Sequence, residues 1–137
     1  MTINAEVKNE IQELAANFYL FLDAENAPGV ASLFAGDGKF VSPYGTVQGP
    51  AKIEEFFIRH IAAGNENGVK HFITNFVVEP TGSGARLRFY ILKMGVAVEP
   101  TLIATASGDC LVKSQGGRWL FEKLEFKVDL AIFADRK

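Results

Sequence analysis

The sequence predicts an α+β fold, with helices in the N-terminal half of the chain and a sheet formed by the C-terminal half. Apolar residues recur every three or four positions in the first part of the chain, which is the period of an amphipathic helix. From Val69 onward the pattern changes to long β-rich runs joined by short turns. Short turns between long strands favour antiparallel neighbours, so we expect one sheet that curls around the helices.

The first helix is predicted over residues 4–24, because its apolar residues form one stripe: Val7, Ile11, Leu14, Ala15, Phe18 and Leu22. Tyr19 and Asp23 lie one turn apart on the flank of this stripe. Both side chains could therefore reach the edge of a buried space. A short second helix is predicted over residues 28–34, followed by a turn at residues 36–38 and a short strand over residues 39–42.

The third helix is predicted to begin at Gly49 and Pro50, since proline suits the first helical turn, and to end at Gly64. Its apolar face contains Ile53, Phe56, Phe57 and Ile61, with His60 in the middle. A lone histidine on such a face is usually a packed core or rim residue, although the same position could turn it toward a pocket. Residues 63–68 are predicted to form a loop.

Four strands are predicted over residues 69–79, 85–98, 102–113 and 119–128. In the first, VKHFITNFVV, strict alternation places His71 on one face and Phe72, Phe76 and Val78 on the other. Both faces are largely apolar, which favours a strand in the middle of a sheet that helices or a second subunit cover on each side. A buried His71 needs a partner for at least one ring nitrogen.

Composition limits the class of protein. A chain of 137 residues predicts one domain over residues 1–137, and 48% hydrophobic residues with 12 Phe indicate a bulky aromatic core. A net charge of -2 argues against nucleic acid as a partner, because phosphate binding needs a clustered basic surface. The polar N-terminus and the lack of an apolar run of roughly 20 residues predict a cytoplasmic protein that does not bind a membrane.

The remaining chemistry-bearing residues indicate no cofactor. Cys110 is the single cysteine, so no internal disulfide forms, which fits a reducing compartment, and we interpret it as a small apolar filler. Two histidines and this cysteine do not have a recognised metal-ligand spacing, so we expect no metal. The glycines at positions 36–38 and 82–84 are interpreted as turns without the context of a phosphate-binding loop.

Four segments in order, FYLFLDAENAPGVASLFAGDGKF, GTVQGPAKIEEFF, KHFITNFVV and GGRWLFEKLEF, resemble the SnoaL-like families of the nuclear-transport-factor-2-like superfamily. The resemblance covers roughly residues 5–129. It implies a cystatin-like roll, in which a curved sheet and about three helices form a cone with a deep apolar pocket. It also implies dimers that pack through the outer face of the sheet, for which Phe72, Phe76 and Val78 would supply apolar contacts.

The resemblance also implies roles for particular residues. Dehydratase and dehydrochlorinase members use an Asp near the end of the first helix and a His at the start of the first long strand, here Asp23 and His71, as an orienting carboxylate and a general base. The dehydratase's second histidine has no counterpart in LIATASGDCLVK. Compared with ketosteroid isomerase members, Ser42 and Phe18 replace an Asp and a Tyr, and only Asp109 matches, so isomerase chemistry of that kind is not expected.

The site residues therefore have two interpretations each. Asp23 and His71 are either a catalytic pair or an ion pair that ties the first helix to the sheet. Asp109 lies on a semi-polar strand face that could line a pocket or face solvent. Tyr19 and Tyr44 are candidate hydrogen-bond donors to a substrate, although a buried Tyr often has its hydroxyl at the surface.

We expect a homodimeric small-molecule enzyme of the lyase or isomerase type, similar to polyketide cyclases. Asp23 and His71 would abstract a proton without a cofactor from a compact apolar or aromatic substrate. Tyr19, Tyr44, Phe57, His60 and Asp109 would line the substrate site. The alternative is a non-catalytic ligand-binding or dimerisation module, since fold does not fix function. A hydrogen-bonded pair with a ring nitrogen facing a pocket would favour the enzyme, and a His71 packed without a void would favour the module.

Overall fold

The computed structural model describes residues 2–131. It contains α1 (Ala5–Asp23), α2 (Ala27–Ala31), β1 (Phe34–Ser42), β2 (Gly45–Gln48), α3 (Pro50–Ala62), β3 (Val69–Pro80), β4 (Ala85–Gly95), β5 (Thr101–Gln115) and β6 (Arg118–Ala131). The α+β prediction is confirmed, with the helices packed against an open, curved sheet. Among the described residues, no helix is both long enough and apolar enough to cross a membrane.

Local capping explains where the helices begin and end. The Asn4 side chain accepts a hydrogen bond from the backbone N–H of Val7 at 2.9 Å, which satisfies one free donor at the start of α1. The helix ends at Asp23, and Glu25 then adopts a left-handed conformation with φ 56°. Asn26 caps α2 in the same way through the N–H of Gly29 at 2.9 Å. Pro50 occupies the first turn of α3, as predicted.

The six strands follow the order β2-β1-β6-β5-β4-β3. All neighbours are antiparallel except β1 and β6, which are parallel. The prediction that β3 lies in the middle of the sheet is wrong, because β3 forms an edge. Its outer face still carries apolar side chains such as Phe72, which is 51% exposed. Apolar residues on both faces of a strand therefore do not show that other elements of the same chain pack on both faces.

The N-terminal half of the sheet also differs from its prediction. Helix α2 ends at Ala31 rather than at residue 34, and the chain enters β1 at Phe34. The glycines at positions 36–38, which were predicted to form a turn, lie inside β1 at an irregularity in its pairing with β6. A Cβ at Gly38 would lie 2.8 Å from the carbonyl oxygen of Phe121, so glycine permits the two strands to approach at this point.

A bulge in β3 changes which side chains face the core. The pairing with β4 shifts between Thr74 and Val77, and Asn75 adopts a left-handed φ of 61°. Beyond this point Phe76 and Val78 pack against the core, and Val77 is exposed. The prediction that Phe72, Phe76 and Val78 share one outer face is therefore wrong for the last two residues, because strict alternation does not continue through a bulge.

The core is a cluster of aromatic rings between the helices and the inner face of the sheet. Phe18 of α1 contacts several rings at centroid distances of 4.9 to 6.2 Å; they belong to Tyr19, Phe34, Phe40, Phe57 and Phe121. Edge-on and stacked geometries of this kind add to the free energy gained from burying the rings. The aromatic core predicted from composition is confirmed, and it anchors α1 so that its last residue meets the start of β3.

Candidate functional site

Asp23 and His71 form a two-point contact where α1 ends against β3. Asp23 Oδ1 lies 2.7 Å from Nδ1 of His71, and Asp23 Oδ2 accepts the backbone N–H of the same residue at 3.1 Å. Because β3 is an edge strand, this backbone N–H has no strand partner, and the carboxylate takes that place. The side chains of His71 and Asp23 are 8% and 15% exposed, so solvent competes little with the contact.

This contact determines the tautomer of the neutral imidazole. An ionised carboxylate is only an acceptor, so Nδ1 of His71 carries the hydrogen that Asp23 accepts. The other ring nitrogen, Nε2, then has a free lone pair and can accept a proton. Tyr19 packs beside the imidazole at a centroid distance of 5.1 Å, which restricts rotation of the ring.

Glu66 faces the other side of the imidazole. Its Oε2 lies 3.9 Å from Nε2 of His71, while its Oε1 lies 3.0 Å from Nε2 of His60 and 3.8 Å from Nζ of Lys93. The Glu66 side chain is 2% exposed, and Oε2 has no hydrogen-bond partner among the described residues. A buried carboxylate oxygen without a partner is costly, which makes Oε2 an available acceptor beside the histidine.

The sequence interpretation missed Glu66. It lies in the loop between α3 and β3, where glutamate in a polar, glycine-containing segment is usually solvated. Gly64 and Gly68 flank this loop with positive φ values of 85° and 66°, and the backbone N–H of Val96 donates to the Gly68 carbonyl at 2.8 Å. These backbone constraints turn Glu66 inward, and no local sequence pattern indicates them.

The other predicted site residues are spread over the fold. Tyr19 is buried beside His71; burial raises the pKa of its hydroxyl well above the usual value, and Cys110, Glu66 and Asp23 add to that effect. His60 contacts Glu66, so α3 joins the same polar cluster. Phe57 packs in the aromatic core instead. Tyr44 is 68% exposed, with its ring 5.7 Å from that of His60.

Asp109 lies away from the cluster, on the outer face of the sheet. Arg86 binds both of its carboxylate oxygens, with distances of 2.9 and 2.6 Å. The hydrogen bond from Arg86 lowers the pKa of this carboxyl below its usual value. Of the two interpretations of Asp109, its position agrees with the solvent-facing one, because side chains alternate along β5 and its neighbour Cys110 is the one that faces the core.

The described cavities also lie away from His71. A groove of about 540 Å³ on the outer face of the sheet includes Arg88, Tyr90 and Asp109 in its lining. A second groove, of about 400 Å³, lies between α1 and the turn before β6. Neither has His71 in its lining, so these two grooves are not the deep apolar pocket that the resemblance implies.

Asp23, Glu66 and His71 are also residue types that bind metal ions. Their potential ligand atoms lie within 4.8 Å of one another. However, Nδ1 of His71 is bound by Asp23, and Oε1 of Glu66 is bound by His60. Oε2 of Glu66 has no hydrogen-bond partner among the described residues, whereas the other carboxylate oxygens of the group already have hydrogen-bond contacts and would bind a metal ion only through their remaining lone pairs.

The curved sheet, its order and the helices on its inner face define the cystatin-like, nuclear-transport-factor-2-like class of α+β proteins. Residues 4–125 match the model of the SnoaL-like domain, and the chain belongs to this family. No curated protein sequence matches the chain. The resemblance to SnoaL-like families found in the sequence is thereby confirmed.

Solved structures with this fold cover most of the chain. A protein of unknown function from Nostoc punctiforme is 23% identical with a TM-score of 0.85, covering 94% of this chain and 96% of its own. ActVI-ORFA from Streptomyces coelicolor is 14% identical with a TM-score of 0.79, covering 94% and 99%. A candidate scytalone dehydratase from Novosphingobium aromaticivorans is 16% identical with a TM-score of 0.74, covering 89% and 83%. At these identities the likeness shows the fold alone.

Proposed function

We propose that the protein is a small-molecule enzyme of the lyase or isomerase type that abstracts a proton from carbon without a cofactor. His71 is the general base, through Nε2, and Asp23 is the residue that orients it. The observation that carries the proposal is the two-point contact of Asp23 with the side chain and backbone of His71, at 2.7 and 3.1 Å. This contact fixes the orientation of the imidazole ring and leaves the lone pair on Nε2.

Charge supports the same role. When Nε2 accepts a proton, the imidazolium lies between the carboxylates of Asp23 and Glu66, with Lys93 as the nearby cation. Two carboxylates and one ammonium leave one negative charge, which the imidazolium balances. Fixed opposite charges that stabilise the charge formed in a transition state are a large source of catalysis. Tyr19, whose buried hydroxyl stays protonated, is the proposed donor to the substrate oxygen on which negative charge develops.

A compact cyclic ketone tests this proposal, because its α-hydrogens exchange with D₂O once a base removes them. We expect the protein to accelerate loss of the α-proton NMR signal of cyclohexanone or 1-tetralone relative to buffer. His71→Ala should reduce this rate to the buffer value, since general base catalysis typically contributes about 10²–10⁴-fold. Thr74→Ala, on the outer face of the same strand, is the matched control and should retain the rate. Full activity in His71→Ala would overturn the proposal.

A non-catalytic ligand-binding module is the second candidate, and the low exposure of His71 favours it. Neither of the two described grooves has His71 in its lining, and the His71 side chain is 8% exposed. In this case Asp23, His71 and Glu66 would only tie α1 and the α3–β3 loop to the sheet. The wild-type protein would then give no exchange above buffer, and His71→Ala would change only stability.

We also propose that the protein forms a homodimer through the outer face of the sheet. Large apolar side chains are exposed there on β3 and β4: Phe72, Val77, Tyr90 and Leu92. A contiguous exposed patch of this kind is typical of an interface. Sedimentation equilibrium at micromolar concentration should give a dimer for the wild type and for Val98→Glu, which lies in the β4–β5 turn, and a monomer for Phe72→Glu. A monomeric wild type would contradict the proposal.

A further inference from the structure

The groove between α1 and the turn before β6 has no part in the proposed function. Its volume is about 400 Å³, and Asn17 of α1 is in its lining. In a helix of 3.6 residues per turn, Asn17 lies about 160° around the axis from Tyr19, the residue that packs beside His71. The groove is therefore on the side of α1 that faces away from the candidate catalytic pair, and its occupant does not depend on that pair.

The groove has an apolar floor and aromatic walls. Leu14 and Leu33 in its lining are 6% and 9% exposed, and the rings of Phe21 and Trp119 are only half-buried beside them. A half-buried tryptophan leaves apolar surface that a partner can cover. Tryptophan and arginine are among the residue types most enriched where side chains dominate the energy of protein–protein contacts, and Arg118 is next to Trp119 in this lining.

The α1 wall of the groove is acidic. Glu10 and Glu13 are exposed residues of the lining, and the exposed Glu6 lies on the same flank, so that the three span about 60° of the helix circumference. Lys8 is the cation of α1, and it lies about 140–160° away from them around the axis. Among the described residues, none of these three carboxylates belongs to an ion pair, so their charges remain available to a cationic partner.

Arg118 does not neutralise this wall. It is the cation of the described lining, and its Nη2 donates a hydrogen bond to the carbonyl oxygen of Ser32, at the end of α2, at 2.7 Å. This contact directs the guanidinium toward α2. The groove thus has separate acidic and apolar parts, which is the complement of a ligand that carries a positive charge and an apolar group.

The distance between the two parts decides the size of the ligand. Glu10 and Glu13 are eleven and eight residues from Phe21, which corresponds to about 12–16 Å along the helix axis. An extended chain covers this distance in four or five residues at about 3.3 Å each. A compact small molecule does not reach both parts at once, whereas an extended peptide does.

We propose that this groove binds an extended segment of a partner protein, in which an arginine or lysine is four or five residues from an apolar side chain. The cation binds Glu10 and Glu13, and the apolar side chain packs against Phe21. The contact is independent of the proposed function, because no residue of the groove touches His71.

The acetylated peptide LSGSRSGSL tests this proposal, because it places a leucine four residues from the arginine in both directions. Trp119 is the single tryptophan of the chain, and the peptide contains no aromatic residue, so tryptophan fluorescence reports on the groove itself. We expect a saturable change in emission with a Kd below about 1 mM. The same peptide with citrulline, which has the shape of arginine without its charge, should bind about fivefold more weakly.

A pair of double variants separates the groove from general charge effects. Glu10→Gln with Glu13→Gln should weaken the arginine peptide about fivefold and leave the Kd of the citrulline peptide unchanged. Glu54→Gln with Glu55→Gln, on α3, is the matched control, because it changes the net charge equally outside the groove, and it should leave both Kd values unchanged. Raising the salt concentration should weaken the arginine peptide on the wild type but not the citrulline peptide, which tests the charge contact without any variant.

Several results would overturn the proposal. One is a wild type whose tryptophan emission shows no saturable change with the arginine peptide at millimolar concentration. A second is equal binding of the arginine and citrulline peptides, or equal weakening of both by the Glu10 and Glu13 substitutions. A third is binding of butylguanidinium as tightly as the peptide, because the groove would then be a site for a small cation and not for a protein segment.

Discussion

Replacing Asp23 by Asn should destabilise the protein by about 1.5–3 kcal/mol, which is the range for a hydrogen bond to a charged group. The wild-type carboxylate accepts two hydrogen bonds from His71, and its side chain is only 15% exposed. Asparagine has nearly the same shape but one acceptor oxygen, so it cannot reproduce the contact with the same imidazole tautomer. The loss should therefore come from this pair and not from packing.

Urea unfolding of a double-mutant cycle measures the pair directly. The cycle comprises the wild type, Asp23→Asn, His71→Ala and the double variant, and we expect a coupling free energy of about 1–2 kcal/mol. Asp37→Asn is the matched control, because that side chain is 68% exposed and 3.4 Å from Lys113, and it should change stability by no more than about 0.5 kcal/mol. A coupling below about 0.3 kcal/mol would refute the claim that Asp23 holds His71.

Two further predictions concern the two faces of the sheet. Gly108→Ala should destabilise the protein by about 1–3 kcal/mol in urea unfolding, because a Cβ at this position would overlap the buried ring of Phe89. Gly36→Ala is the control and should be nearly neutral, since no atom lies within 4 Å of a Cβ there. Equal losses of stability in the two variants would contradict the steric explanation. The Arg86 contact lowers the pKa of Asp109, so the pair stabilises the fold above the ordinary value of 3.8. Asp109→Asn should therefore have a lower free energy of unfolding than the wild type at pH 7, and the difference should disappear as the pH falls through the pKa of folded Asp109. A difference in unfolding free energy that does not change with pH would contradict this prediction.

Much of the fold could be predicted because its signals are local. The apolar stripe of α1, its cap at Asn4 and the proline at the start of α3 each act within a few residues of sequence. The β3 bulge could not be predicted, since Asn75 tolerates a left-handed φ but does not require one. The edge position of β3 depends on how strands that are distant in sequence pair with one another. The residue pattern of a single strand does not indicate this pairing.

The site could be predicted only in part for the same reason. The proximity of Asp23 and His71 followed from a family resemblance, and the structure places them in contact. Glu66 was missed because its burial depends on the path of the loop between Gly64 and Gly68 and on three partners from α3, β3 and β4. Both faces stayed open for Asp109 because alternation along a strand separates two faces but does not identify the inner one.

The most direct test of the account is the protonation state of His71, measured by ¹⁵N NMR at a pH where free imidazole is neutral. We predict that Nδ1 carries a hydrogen bonded to Asp23 and that Nε2 carries none in the wild type, and that this preference is lost in Asp23→Asn. A hydrogen on Nε2 with a bare Nδ1, or hydrogens on both nitrogens, would contradict it, because His71 could then not accept a proton from a substrate.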